Sequence, residues 1–367
     1  MSWLTVALAD VADVNWGDTS VTKASYVPSG YPAFSATGCD GFLPYADYER
    51  DGIVLSAIGA QCGKTWFASG KWSCIKNTMR LWSIDDRLDD RFLYWVTSKQ
   101  DFWSRRGAAQ PFIAVGDARR AHIPLPPLDE QRRIVAILDK ADALRCKRTD
   151  ALSKLATLKS SIFLQMFGDW SVPGSRTRTV QLAESIDFLT SGSRGWAEYY
   201  RDVGALFIRI QNVRRDELDL SDRTFVDAPN TAEALRTRVQ PGDVLLSITA
   251  DLGRTAIVPD DIGEAYINQH LAILRTTRLS PRFLSAALAS VAGQTAIQRQ
   301  NREGVKAGLN FDDVRGLRIP DVPRQQQDTF ARIADRVDDQ ILLQNSHLTK
   351  LDDLFASLQH RAFRGEL

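Results

Sequence analysis

The stretch that most constrains this chain is Ile123–Asp169, which reads IPLPPLDEQRRIVAILDKADALRCKRTDALSKLATLKSSIFLQMFGD. Pro124, Pro126 and Pro127 cannot sit inside a helix and set a stiff, extended lead-in. From about Asp129 to Phe167 the pattern is helical, with apolar residues at Ile134, Ile137, Ala141, Leu144, Ala151, Leu155, Leu158 and Ile162. Their spacings alternate three and four, apart from a polar break at Arg148, which is the seam of a helix lying lengthwise on another helix. Gly168 follows in the usual stop position. Such a helix would reach roughly 55–60 Å, the length of a spacer or scaffold rather than of an element in a compact core.

The same stretch returns at Ile319–Leu367. A shift of 196 positions puts Ile123-Pro124 on Ile319-Pro320, Gln131 on Gln327, Asp139 on Asp335 and Phe167 on Phe363. The second seam runs through Phe330, Ile333, Val337, Leu351, Leu354 and Leu358, and its middle is again polar at Gln340, Gln344 and His347. Two matched seams in one chain are expected to pair with each other.

The segments before each helix also echo one another. Thr5-Val6 and Leu8-Ala9 return as Thr179-Val180 and Leu182-Ala183. Gly52–Thr65 (GIVLSAIGAQCGKT) aligns without a gap on Gly242–Thr255 (GDVLLSITADLGRT), with Asn77 matched to Asn268, and Arg91-Phe92-Leu93 returns as Arg282-Phe283-Leu284. The second segment is longer through Arg194–Pro241. The chain thus reads as a tandem duplication, with a first globule at 1–122, a helix at 123–169, a second globule at 170–318 and a helix at 319–367. The fold class expected is α+β: two pseudo-repeated mixed α/β domains separated by two long helices that form an antiparallel coiled coil. Within the first globule, Leu4–Val14 suits a short helix or strand, Gly52–Ile58 a buried strand and Arg91–Arg105 a helix.

A formal net charge of +1 over 367 residues argues against a chain that grips nucleic acid by bulk charge alone, although it leaves room for a locally basic face. No apolar run approaches the roughly 18–20 residues of a membrane span, and no signal peptide pattern is visible at Met1-Ser2-Trp3, so the expected location is cytoplasmic. Cys39, Cys62, Cys74 and Cys146 show neither a CxxC pair nor zinc-ligand spacing and read as ordinary thiols. No metal site is expected.

Catalytic motifs are weak. Gly59–Thr65 looks like a phosphate loop but has three residues between its glycines instead of four. It reads better as a tight turn, on which Lys64 and its counterpart Arg254 reach a phosphate or a base edge. There is no GxGxxG, no Asn/Asp-Pro-Pro-aromatic tetrapeptide and no HExxH among His122, His270, His347 and His360. Pro259-Asp260-Asp261 with Glu264 faintly suggests a metal nuclease but lacks a lysine at short spacing, and suits a capped turn better.

Contacts to DNA are expected from planar and cationic side chains near turns, because Arg, Gln and Asn pair bidentately with guanine or adenine edges. The candidates in the first globule are Lys23, Lys64, Lys76, Arg80, Arg105, Arg106 and Gln110. Those in the second are Arg194, Arg209, Gln211, Asn212, Arg214, Arg254, Arg302 and Lys306. The helix-pairing candidates are Ile134, Ile137, Leu144, Leu155, Leu158, Ile162, Ile333, Val337, Leu351, Leu354 and Leu358. Two similar globules joined by two antiparallel helices suit a target with two separated half-sites, and duplex DNA is such a target. A stand-alone nuclease with a duplicated plan, or a coiled-coil scaffold with no DNA role, would also fit the repeat.

The tract IPLPPLDEQRRIVAILDKADAL…LKSSIFLQMFGD resembles the central conserved region of type I restriction–modification specificity subunits, and the order globule, helix, globule, helix is similar to that family over essentially the whole chain. The second helix, with PRQQQDTF for PLDEQRRI, matches less closely. The resemblance implies that each globule is a target-recognition domain reading half of a bipartite, asymmetric DNA site, that the helices act as a ruler, and that the chain has no catalytic activity and no cofactor of its own. It further implies two methyltransferase subunits carrying S-adenosylmethionine, which methylate flipped-out adenines, and restriction–translocase subunits using ATP and magnesium.

Overall fold

The computed structural model describes residues 3–301 and 308–367. The chain divides into two compact units, Met1–Asp150 with Ser346–Leu367, and Ala151–Asn345. The division cuts through both long helices, so each unit holds a piece of each.

In the first unit, Leu4–Ala7 pairs antiparallel with His122–Leu125, setting Thr5 opposite Pro124 and Val6 opposite Ile123. A short helix, Leu8–Val11, leads into the strand Ala12–Trp16, so the Leu4–Val14 stretch is strand, helix and strand in turn. The main sheet has four antiparallel strands in the order Ala12–Trp16, Thr78–Ser83, Gly52–Ser56, Thr65–Ala68. Gly52–Ser56 is an apolar run because it lies inside this sheet with all five residues buried. A second sheet of four strands adds Tyr31–Ser35 paired parallel to Lys71–Cys74. The helix expected at Arg91–Arg105 is shorter, Asp90–Thr97. It starts where the Asp89 carboxylate accepts from the Arg91 and Phe92 amides, an N-cap.

The second unit repeats this plan. Thr179–Gln181 pairs with Arg318–Pro320, setting Thr179 opposite Pro320 and Val180 opposite Ile319. Its main sheet runs Phe188–Ser191, Leu271–Arg275, Val244–Ser247, Thr255–Ile257, the same order as in the first unit. Its second sheet again contains one parallel pair, Ala205–Ile208 with Ala265–Ile267.

The long helices are Leu128–Phe167 and Arg324–Ala362, and Gly168, at φ +73°, ends the first. They run antiparallel in both units. In the first, the Arg145 Nε–Asp352 ion pair is 2.6 Å and Arg133 donates to the Leu367 carbonyl at 2.6 Å. In the second, Lys159 meets Asp338 at 2.8 Å and the Phe163 and Phe330 rings lie 5.2 Å apart. The helices are not bare spacers, contrary to the expectation from their length. Ile134, Leu138, Ala141, Phe355 and Ala362 belong to the same core as Leu8, Phe92 and Trp95. Phe163, Phe167, Phe330 and Ala334 belong to the core of Phe283 and Leu284.

The buried stripe is displaced from the one read in the sequence. Ile134 and Val337 are buried, and Ile137, Leu155, Ile162, Ile333, Leu351 and Leu358 are half-buried. Leu144, Leu158 and Leu354 are 48%, 38% and 50% exposed. Leu138, Phe163, Ala334 and Phe355, each one position further on than Ile137, Ile162, Ile333 and Leu354, are buried instead. A helix of 3.6 residues per turn drifts by about 20° per heptad from a strict seam. Within each unit the pieces of both helices also bury side chains in the core of that unit's sheet and short helix.

Candidate nucleic-acid interface

Each unit is fastened to its helices by the same joint. In the first, the side chain of Gln131 is fully buried. Its Oε1 accepts from the Asp89 amide (2.9 Å), and its Nε2 donates to the carbonyls of Arg87 (2.6 Å) and Pro126 (2.8 Å). In the second, Gln327 Oε1 accepts from the Ser280 amide (2.9 Å) and Nε2 donates to the Val322 carbonyl (3.0 Å). Both glutamines hold the residue that starts a short helix, Asp90–Thr97 or Pro281–Ala289. About two turns further along each long helix, Asp139 accepts from Arg91 at 2.9 Å and Asp335 from Arg282 at 2.7 Å. The repeat is therefore kept at the level of single hydrogen bonds.

The candidate contact residues gather around one turn of each main sheet. In the first unit, residues 57–64 join Gly52–Ser56 to Thr65–Ala68, and the Gly63 amide donates to Ser56 O while the Ser56 amide donates to Lys64 O. The turn lies beside the loop 105–113, since the Gly59 amide donates to Pro111 O and the Ile113 amide to Ala57 O, each at 2.9 Å. The Ala57 amide donates to Asn77 O, next to Lys76. Lys64, Lys76, Arg105, Arg106 and Gln110, all exposed, thus come from three adjoining turns. Arg106 pairs with Asp117 at 2.6 Å and holds that carboxyl below its ordinary value. Among the described residues Lys64, Lys76 and Arg105 form no ion pair.

In the second unit the Ser247 amide donates to Arg254 O and the Gly253 amide to Ser247 O. Ser247 therefore answers to Ser56, and the turn is one residue shorter than the ungapped alignment supposed. The Ser247 hydroxyl explains how: it donates to Asp251 O and accepts from the Arg254 amide, bracing the tighter turn. The Ile248 amide donates to His270 O, so His270, rather than Asn268, takes the place of Asn77. Arg254 pairs with Asp251 at 2.5 Å and also donates to Val213 O at 3.2 Å, which brings the turn against the loop 209–224. Arg214, paired with Asp219 at 2.6 Å, lines a cleft of about 250 Å³ together with Arg215, Arg254 and Gln294. Hydrogen bonds from Ser221 and Arg214 hold the Asp219 carboxyl well below the usual carboxylate range. Arg209 pairs with Asp222 at 2.9 Å, and Gln211 accepts from the Arg209 guanidinium at 3.1 Å. Arg194 is exposed on the turn that Ser193 and Trp196 brace, with the indole donating to the Ser193 hydroxyl at 3.0 Å. Exposed arginine–carboxylate pairs are worth about 0–1 kcal/mol, so Arg106, Arg214 and Arg254 can exchange their partners for a phosphate or a base edge.

Two candidates also brace the fold, and a third is tied to a carboxylate at the surface. Asn212 is buried, accepts from the Arg209 amide at 3.0 Å and donates to the carbonyls of Asp219 (3.0 Å) and Asp222 (2.8 Å), which closes the loop on itself. Arg80 is held by Asp13 at 2.5 Å and lies over the Trp82 ring, 3.8 Å from its centroid. Lys23 is tied to Asp40 at 2.6 Å. Arg302 and Lys306 lie outside the described residues. Arg215 and Gln294 escaped the sequence reading, although Arg215 stands beside Arg214 in the basic run. Glu264 accepts from the Tyr266 hydroxyl at 2.7 Å. Among the described residues no group of three or more His, Cys, Asp or Glu is placed to hold a metal ion, and no helix is long and apolar enough to cross a membrane.

Comparison with known proteins agrees with this architecture. Residues 2–154 match the type I restriction modification DNA specificity domain. The chain is 25% identical to the specificity subunit of the Escherichia coli type I restriction enzyme EcoBI, covering 99% of this chain and 80% of that one. Two solved structures share the fold. One is the S subunit of a type I restriction–modification system from M. genitalium, at TM-score 0.63 and 16% identity, covering 99% of this chain and 96% of that one. The other was described in work on complex assembly and conformational transition of the type I system, at TM-score 0.59 and 19% identity, covering 100% and 98%. Paired sheets on paired helices are the fold that this chain shares with these structures, and its first copy matches the DNA specificity domain. Over nearly its whole length the chain is thus similar to a type I specificity subunit, and its first 154 residues carry the match to the DNA specificity domain.

Proposed function

We propose that this chain is the sequence-reading component of a type I restriction–modification complex. Each unit reads one half of a bipartite, asymmetric site in duplex DNA, and the antiparallel helices fix the spacing between the halves. The observation that carries this reading is a repeat conserved in scaffold and divergent in turns. Strand order, terminal ribbon and glutamine joint recur from unit to unit, whereas the turn-borne side chains differ, with Lys64 answering to Arg254. A common frame carrying unlike readers suits a target whose halves differ.

On this reading the chain contributes recognition and no chemistry. Two methyltransferase subunits bring S-adenosylmethionine and modify one adenine in each half, and restriction–translocase subunits bring ATP and magnesium for cleavage. The partners supply much of the positive surface around DNA, consistent with a net charge of only +1 on this chain. The test is modified-base sequencing of cells with and without this gene. A two-part methylated-adenine motif that disappears with the gene is the expected result. An unchanged methylation pattern, or magnesium-dependent cleavage by the purified chain alone, would overturn the reading.

A further inference from the structure

The connection between the strands Ala205–Ile208 and Phe225–Val226 sets the second unit apart. The corresponding hairpin in the first unit, Tyr31–Ser35 to Gly38–Leu43, turns within Ala36-Thr37. In the second unit the connection runs from 209 to 224 and carries Arg209, Gln211, Arg214 and Arg215. At its far end stands Asp216, in the left-handed conformation at φ +60°, which few side chains other than Asn and Asp adopt readily.

Asp216 is fixed from three sides. Its amide donates to the Thr255 hydroxyl at 3.2 Å, the residue after Arg254 on the sheet turn. Its Oδ1 accepts from the buried Ser285 hydroxyl at 2.6 Å. Its Oδ2 faces Lys159 Nζ of the first long helix at 3.4 Å, and the two side chains are only 10% and 16% exposed. Lys159 is itself held by Asp338 of the second long helix at 2.8 Å, and Asp338 by Arg282 at 3.0 Å. Next to Asp216, Arg215 donates to Gln294 Oε1 at 3.2 Å, and Gln294 Nε2 in turn holds Gly253 O at 2.7 Å. A sheltered carboxylate with a matched cation resists displacement, because removing either partner leaves a charge in a poorly solvated place. The loop tip is therefore anchored to the helix pair, and the Arg214–Arg215–Arg254 cleft lies directly beside that anchor.

We infer that Lys159 and Asp216 are positioning residues for base recognition by the second unit: their ion pair sets where Arg214 and Arg215 stand, so that the long helix contributes to sequence specificity as well as to spacing. Among the described residues the first unit has no such device. There the position equivalent to Lys159 is Phe355, packed on Trp95 with ring centroids 5.4 Å apart, and no long loop meets it. The inference rests on the reading of each unit as a DNA half-site reader.

The experiment expresses the full-length chain with its methyltransferase partner in cells lacking this gene and sequences the methylated motif. The variants are Lys159→Met, Lys159→Arg and Asp216→Asn. Lys159→Met and Asp216→Asn are expected to keep the first unit's half of the motif intact while discrimination at one or two base pairs of the other half falls roughly 10- to 100-fold. Lys159→Arg, which keeps the ion pair, should restore it. A motif unchanged in all three variants would overturn the inference. So would a uniform drop in methylation with both halves still strictly read, which is what simple destabilisation produces. A wild-type chain that marks no two-part motif would instead remove the half-site reading on which the inference stands.

Discussion

Replacing Gln131 by Met tests the joint between unit and helix. Methionine matches glutamine in length and offers no hydrogen bond of comparable strength, so the change removes three bonds with little change in shape. The orphaned Asp89 amide costs about 1–3 kcal/mol and the two released carbonyls about 0.5–1.5 kcal/mol each, for a total of roughly 2–6 kcal/mol. In a body of this size each kcal/mol moves the melting temperature by about 2–4 °C, so the first unit's transition should fall by roughly 4–24 °C. Gln327→Met removes fewer bonds from the second unit and should shift that unit's transition by less. Calorimetry separates the transitions, and amide hydrogen exchange reports locally: the Asp89 amide should lose its protection in Gln131→Met. A shift under about 2 °C with Asp89 exchange unchanged would refute the assignment of this glutamine as the fastening residue.

Three further outcomes are expected. Phe163→Ala removes a ring that meets those of Phe167, Phe283 and Phe330 at 4.8–5.7 Å, and should lower the second unit's stability by about 3–5 kcal/mol in urea titration. Asn212→Ala should lower the second unit's stability by about 1–3 kcal/mol and raise protease cleavage within 209–222, because the lost bonds close that loop. Asp40 is raised by partial burial but drawn down to about 2 overall by hydrogen bonds from Lys23, Thr37, Ser35 and Tyr26. Its folded value thus lies below the unfolded value of about 3.9, so its stabilisation is present above about pH 4 and is lost as pH falls towards 2. The stability advantage of wild type over Asp40→Asn, measured in urea, should therefore be seen near neutrality and vanish in acid.

The duplication was legible because it is written in short runs that carry backbone roles. Thr-Val before Leu-Ala and Ile-Pro before each helix are the residues that pair in the two ribbons. Gln131 and Gln327 fell on one another by position alone, yet a buried glutamine in a charged run looks like a surface residue until its three partners are visible. The helices were legible in extent but not in phase. Three-and-four spacing leaves two adjacent stripes open, and the burial of Leu138, Phe163 and Phe355 depends on what each unit packs against them. The contact set was least legible. Arg80 and Asn212 look like readers in sequence, and only their partners Asp13, Asp219 and Asp222 reveal that they brace the fold. The slip of one residue between Ser56 and Ser247 was hidden because GIVLSAI and GDVLLSI align well in either register.

The most direct measurement exploits the equivalence of the two joints. A chain is built in which the residues between ribbon and helix in the first unit, 8–121, are replaced by their counterparts 182–317 and Phe355 by Lys, the residue at the equivalent position 159, and the methylated motif it directs is sequenced in cells supplying the methyltransferase. If two interchangeable readers are mounted on one frame, the motif becomes two inverted copies of the second unit's half-site at the original spacing. A folded, active chimaera that still directs the original asymmetric motif, or only a single half-site, would contradict that claim.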